Sequence, residues 1–310
     1  TKWREIADLD DVEVINQIKE DGIHILFDLS GHSTNNRLPI FVNKPAPLQV
    51  TWVGYAASTG IPEIDYIIGD PHVTPPESKE HFVEKILRLP NIWCSFSKPD
   101  FKIEKIETIP ALKNGFVTFG CFNNLHKLND KVINSWAKIL NTVPDSRLIL
   151  KNGMFKYKHL KEKIIYLFKK HHMNINRLIL EEASPRKELL ETYNKIDIAL
   201  DPFPYSGGTT SFEAIWMEVP VLTKKGSTFS SRVTESVNYN CGLSNWVAID
   251  ENEYIAKAIE FSANLELLSE TKKILRQGAH NSPLFDASLF AEHFKDNMWQ
   301  IWKKYINKSI

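Results

Sequence analysis

Residues 205–213, YSGGTTSFE, set two glycines and two threonines at the head of a stretch that reads as helix to residue 218. Glycine lets the backbone approach a bound group closely. Thr209, Thr210 and the first-turn amides are donors at the positive end of a helix dipole, which is the chemistry of anion capture. Glu213, three or four residues into that helix, is placed to accept hydrogen bonds from vicinal hydroxyls such as those of a ribose. A helix capping box fits the same spacing equally well, with Thr210 as N-cap and Glu213 at the third position. A second loop, FNNLHK at residues 122–127, ends on Lys127. An ammonium there would neutralise a diphosphate and the charge that grows on it when a sugar–phosphate bond breaks. The alternative is an ordinary solvated lysine ahead of a helix.

Two more loops follow apolar runs nearer the start of the chain, DLSGHS at 28–33 and WVGYAASTG at 52–60. The imidazole of His32 titrates near neutrality and suits a base or a group that orients a sugar hydroxyl, although a histidine beside a glycine is also a common satisfied turn residue. Arg37 reads either as a partner for phosphate or substrate, or as a surface arginine at a helix start. Asp8 and Asp10 have the spacing of a metal-dependent DxD site. They precede a helix instead of ending a strand, so capping explains them and no metal is expected there. His171 and His172 close a predicted helix, where its dipole favours them. Neither GxGxxG after a strand nor GxxxxGK[ST] occurs, so the dinucleotide fingerprint and the Walker loop are both missing.

These loops need elements that hold them at strand ends. A predicted helix over 11–19 leads into short apolar runs at 23–28, 48–53 and 66–68, which read as buried strands separated by helical or loop segments. A polar, irregular stretch at 102–114 reads as a linker. Strands are then predicted at 116–120, 147–150, 178–180, 196–200 and 220–223, alternating with helices at 131–140, 160–171, 187–194 and 210–218. Such alternation predicts α/β architecture with parallel sheets, because parallel strands need long crossovers. The expected layout is a partial Rossmann-like domain over 1–113 and a second Rossmann-like domain over 114–310. Both are expected to be doubly wound, facing one cleft where a nucleotide-sized ligand would sit. The last sixty or so residues read as helical. Phe290, Phe294, Trp299, Trp302 and Tyr305 there suit an amphipathic helix at the domain junction.

A chain of 310 residues with 43% hydrophobic content supports two domains. Lys and Arg together number 38, as do Asp and Glu, so no global field favours nucleic acid or an anionic membrane. The three cysteines, Cys94, Cys121 and Cys241, have neither zinc-site nor disulfide-framework spacing, which suits a reducing compartment. No apolar run reaches the length of a spanning helix, and a soluble, cytoplasmic protein is expected. The start at Thr1, with no leading strand, reads as a fragment.

DGIHILFDLSGHSTNNRLPIF, PAPLQVTWVGY, DYIIGD, FNNLHKLN, LDPFPYSGGTTSFEAIWMEVPVLT, SSRVTESV and NSPLF occur in that order. Together they resemble the catalytic region of the O-linked N-acetylglucosamine transferases, especially bacterial members, over residues 21–305. The resemblance implies a two-domain GT-B fold and UDP-N-acetylglucosamine as co-substrate. It implies metal-independent inverting transfer to Ser or Thr hydroxyls without a cofactor, and an acceptor protein presented by an N-terminal tetratricopeptide array. It also implies that Lys127 binds the diphosphate and acts in catalysis, that Thr209 and Thr210 contact phosphate, and that Glu213 binds ribose. Asn124 and Gly208 fall on donor-site positions, Gly54 beside the donor sugar, and Arg37 on an acceptor-side or phosphate-side motif. His32 falls on a variable site of the family.

Departures from the pattern are Ala56-Ala57, where the family loop carries Pro and Gly, Gly208 and Leu189 in place of histidines, and the absence of the upstream strands with the histidine often proposed for catalysis. Transfer to Asn or to a small molecule, and an inactive UDP-sugar-binding scaffold, are the competing expectations.

Overall fold

Asp10 opens the first helix. Its carboxylate accepts the Glu13 amide at 2.8 Å, and the Glu13 carboxylate accepts the Asp10 amide at 2.9 Å. This reciprocal cap starts α1, Asp11–Glu20, and accounts for Asp10 of the acidic pair ahead of it. The computed structural model describes residues 2–307. The chain divides into two units, one running to Cys94 and resuming at Ser288, the other spanning Ser95–Ala287.

In the first unit, β1 (Ile25–Asp28), α2 (Leu38–Val42), β2 (Leu48–Thr51), β3 (Tyr66–Gly69) and β4 (Lys85–Arg88) follow α1. The four strands are parallel and ordered β1-β2-β3-β4. Val14, Ile15, Leu38, Ile40, Phe41 and Ile64 form one buried cluster, with Leu26 of β1 packed against it. The order shows no reversal among the described residues, so this sheet has no switch point of its own. The first three strands match the predicted runs. Strand β4 does not stand out in the sequence, because KILR alternates charged ends with only two apolar residues.

The second unit opens with α3 (Pro110–Asn114), β5 (Thr118–Cys121), α4 (Asp130–Thr142), β6 (Arg147–Lys151), α5 (Lys158–Lys170), β7 (Leu178–Glu181), α6 (Arg186–Thr192) and β8 (Ile198–Leu200). It continues through α7 (Thr209–Trp216), β9 (Val221–Lys224), α8 (Phe229–Asn240), β10 (Val247–Ala248), α9 (Glu251–Ala263) and α10 (Leu265–Gly278). Its six strands are parallel in the order β10-β9-β8-β5-β6-β7. The chain winds outward from β5 through β7 and then returns to lay β8 on the other side of β5. That reversal between β5 and β8 opens a crevice at their carboxyl ends. His171 closes α5 as expected and also meets Asp130 Oδ1 at 3.0 Å.

The domain limits differ from the expected 1–113 and 114–310 in two places. Residues 102–114 are packed into the second unit instead of forming a linker. The Ala111 and Thr118 amides donate to the buried Asp197 carboxylate at 2.9 and 2.8 Å, and Arg276 Nη2 donates to the Ile106 carbonyl at 2.6 Å. The terminal helix α11, Ala287–Ile306, is counted from Ser288 onward with the first unit. Phe290, Phe294, Met298 and Trp302 pack around a cluster of Leu48, Val50, Ile68, Leu89 and Ile301. Phe290, Phe294 and Trp302 of the stripe read as a junction element are therefore spent on the first sheet, where Phe294 stacks on Phe27 and Phe290 on Trp52, while Trp299 and Tyr305 are exposed. No helix among the described residues is long and apolar enough to cross a membrane.

Candidate functional site

The crevice of the second sheet is built on Asp201, which directly follows β8. Its carboxylate is buried and accepts the Gly207 amide at 2.6 Å and Thr223 Oγ1 at 2.7 Å. Burial pushes it up to about 6, against the pull of Thr223 and Lys127. Asp201 thus ties the loop ahead of α7 to the sheet. Gly207 is required there: a Cβ would run into Ser211 Oγ and come within 2.9 Å of Asp201 Oδ1, whereas one at Gly208 would meet nothing within 4 Å. The start of α8 buttresses the same loop, since Ser206 Oγ donates to the Ser230 carbonyl at 2.9 Å and Thr234 Oγ1 to the Gly207 carbonyl at 3.3 Å. This contact gives the string SSRVTESV a structural reason.

Gly208 is the N-cap of α7 and no side chain caps the helix. The capping box that Thr210 and Glu213 could have formed is not made, because the helix begins two residues earlier than that box requires and Glu213 pairs with Arg186 instead. Thr209 is exposed, and Thr210 Oγ1 is buried without a hydrogen-bond partner. An unpaired hydroxyl and uncapped first-turn amides leave this end of α7 with donors to offer an anion. Glu213 is 3% exposed and is paired with Arg186 Nη1. Burial raises its pKa, with Arg186 opposing. The guanidinium engages one carboxylate oxygen of Glu213, Oε1.

Lys127 ends a 3-10 turn, Leu125–Lys127, which Asn124 caps by accepting the His126 amide at 3.0 Å. Asn124 therefore shapes the turn that carries the cation. Lys127 Nζ donates to Asn123 Oδ1 at 3.1 Å and to the Ser206 carbonyl at 2.7 Å, and lies 4.4 Å from the centroid of the Tyr205 ring. Burial lowers its pKa while Asp201 holds it up. The predicted lysine is thus a half-buried cation fixed against the glycine loop, not a freely solvated one. Such a charge acts more strongly on a nearby anion than one in water.

In the first unit, the His32 ring bonds through Nε2 to the Thr59 carbonyl at 2.8 Å and meets Tyr55 edge-on. Gly54 lies so close to the Leu29 carbonyl that a Cβ would collide with it. The loop 54–60 is gripped from its other side by the buried Glu84, whose Oε2 accepts Ser58 Oγ and Oε1 the Thr59 amide, both at 2.7 Å. Arg37 is spent on architecture: Nε donates to Asp11 Oδ1 at 2.7 Å and Nη2 to the Leu9 carbonyl at 3.1 Å.

The structure therefore brings Lys127 to the 206–210 loop, places Glu213 one turn further along α7, and puts His32 and Gly54 on neighbouring loops of the first unit. Asp201, Asn123, Arg186 and Glu84 are the residues that sequence reasoning passed over. Asp201 had a signal, as a carboxylate at the end of a buried strand just before a glycine loop. Arg186 and Glu84 had none, since their partners are distant in sequence. Among the described residues no group of three or more His, Cys, Asp or Glu is placed to hold a metal.

A family model described as Glycosyl transferase family 41 matches residues 7–97 and 107–294. The chain is 37% identical over 309 residues to the probable UDP-N-acetylglucosamine–peptide N-acetylglucosaminyltransferase SPINDLY of Solanum lycopersicum, across 99% of this chain and 33% of that protein. It is 27% identical to the probable enzyme of the same description, SEC, of Arabidopsis thaliana, across 92% of this chain and 30% of that one. Among solved structures, a mutant of the Thermobaculum terrenum O-GlcNAc transferase aligns with a TM-score of 0.94 at 34% identity, across 99% of this chain and 58% of that one. The chain spans about a third of the length of the curated relatives it matches.

Proposed function

Because this chain belongs to glycosyl transferase family 41 and has the GT-B fold, we propose that it transfers N-acetylglucosamine from UDP-N-acetylglucosamine to Ser or Thr hydroxyls of a protein, with inversion at the anomeric carbon. The observation that carries this reading is the fixed ammonium of Lys127 against the Ser206 carbonyl, beside the uncapped start of α7. In the proposed step the acceptor hydroxyl oxygen attacks C1 of the sugar as the bond from C1 to the phosphate oxygen breaks. The electron pair leaves on UDP, and the hydroxyl proton goes to a base. Lys127, with Thr209, Thr210 and the α7 amides, neutralises the departing diphosphate, so this reading calls for no metal and no cofactor.

Glu213 binds the ribose diol once Arg186 yields or shares it. With Nε2–H donated to Thr59, the His32 ring keeps Nδ1 for an acceptor or sugar hydroxyl, which makes it an orienting group. We assign neither phosphate nor acceptor to Arg37, whose donors are used within its own unit. The length of the relatives fits an acceptor presented by a tetratricopeptide array outside this chain. Three free cysteines fit a cytoplasmic setting.

The test is a donor and acceptor panel on the full-length parent. UDP-N-acetylglucosamine, other UDP-sugars and GDP-sugars are each supplied with candidate acceptor proteins, and products are mapped by mass spectrometry. Mass added to Ser or Thr from UDP-N-acetylglucosamine is expected. Transfer from another nucleotide sugar alone would overturn the donor assignment, and modification confined to Asn would overturn the acceptor assignment. The altered Ala56-Ala57 loop makes that second outcome worth the measurement.

A further inference from the structure

Ser206 and Gly207 share one peptide group, and it is held from both ends. Its oxygen accepts Lys127 Nζ at 2.7 Å and its N–H donates to Asp201 Oδ1 at 2.6 Å. The carboxylate cannot turn away, because Thr223 Oγ1 on β9 donates to its other oxygen at 2.7 Å. Its own backbone is anchored too: the Asp201 carbonyl accepts Tyr254 Oη at 3.1 Å, and that hydroxyl accepts the fully buried Trp136 Nε1 at 3.0 Å. In a trans peptide the N–H and C=O bonds point in opposite directions. Holding the N–H toward Asp201 therefore aims the carbonyl at Lys127.

We propose that Asp201 is a positioning residue for the donor: it sets the orientation of the 206–207 peptide, and the carbonyl so presented locates the ammonium that meets the diphosphate. This rests on the donor reading given above and adds to it a residue that acts through the loop. The neighbouring interactions are consistent with a rigid mount. Gly207 has no room for a side chain on the Asp201 side, and Asn123 supplies the second point that fixes Nζ. If the peptide turned over, the carbonyl would leave Nζ with one partner and an amide hydrogen would face it.

The test uses this chain and UDP as the probe, by titration calorimetry. Asp201→Asn keeps an oxygen for Gly207 N–H and can donate its amide to Thr223 Oγ1, so UDP affinity should stay within about threefold of wild type. Asp201→Ala should weaken UDP at least tenfold, and in a Lys127→Ala background the same change should cost less than twofold. A loss undiminished in that background would show a merely structural role and overturn the proposal. So would an Asn variant as impaired as the Ala variant.

Thr223→Val frees one carboxylate oxygen without touching the loop and covers the case in which Asp201→Ala does not fold. Hydrogen exchange at the Gly207 amide gives a readout that needs no ligand. It should be slow in wild type and Asp201→Asn and faster in Thr223→Val, and equal rates in all three would overturn the proposal. A wild-type chain that binds no UDP would defeat the donor reading, while the exchange data would still decide the clamp.

Discussion

Replacing Lys127 with Ala removes one cation from a place where it is already aimed. Asn123 Oδ1 and the Ser206 carbonyl hold Nζ at 3.1 and 2.7 Å, so little reorganisation is needed when the sugar–phosphate bond breaks. Two quantities should then separate. In the ground state the ammonium offers UDP a charge-assisted hydrogen bond, about 1.5–3 kcal/mol, which corresponds to roughly 10- to 150-fold in Kd. In the transition state the departing diphosphate carries more charge, and losing one preorganised donor costs about 2.7–4 kcal/mol, roughly 100- to 1,000-fold in kcat. The fall in turnover should therefore exceed the loss of UDP affinity.

The assay is transfer by the full-length parent, followed as acceptor mass and UDP release, with UDP affinity measured separately and circular dichroism as the folding control. Turnover equal to wild type would remove Lys127 from the leaving group. A raised KM with kcat intact would reduce its role to uniform binding of donor.

The paired glycines should respond differently. Gly207→Ala forces a Cβ into Ser211 and toward Asp201 and should cost about 1–3 kcal/mol of stability, whereas Gly208→Ala meets open space and should cost less, about 0.5–1 kcal/mol for the poorer N-cap; urea unfolding of both variants checks this, and a Gly208→Ala loss as large as that of Gly207→Ala would contradict the packing. Glu84→Ala leaves the buried Thr59 amide without its acceptor, a loss of about 1–3 kcal/mol that the same unfolding experiment would detect as a lower midpoint. His280 is held down to about 4 by burial and by Lys105, whose Nζ lies 2.8 Å from its Nε2. The unfolded chain therefore takes up that proton first as pH falls below about 6.5, and this contribution to stability drains away between there and about 4. His280→Gln should flatten that part of the pH–stability curve, and an unchanged slope would show that this histidine does not carry it.

Much of the fold was legible in one dimension. Short apolar runs between turn residues marked eight of the ten strands among the described residues, because a strand buried in a parallel sheet needs apolar residues on both faces and advertises them locally. The capping of α1 by Asp10, the glycine-threonine loop and the lysine loop were legible for the same reason: each depends on neighbours in the chain. Strands β4 and β10 were not, since KILR sets charged residues at both ends of only two apolar ones and VA is two residues long. The tertiary structure alone decided how polar side chains were used. Whether Glu213 caps its helix or meets Arg186, whether Arg37 faces a ligand or holds Asp11, and whether Lys127 is solvated or locked to a carbonyl 79 residues away all depend on partners remote in sequence. A buried charge must find a counter-charge or a donor wherever the fold brings one, and local spacing has no record of that choice.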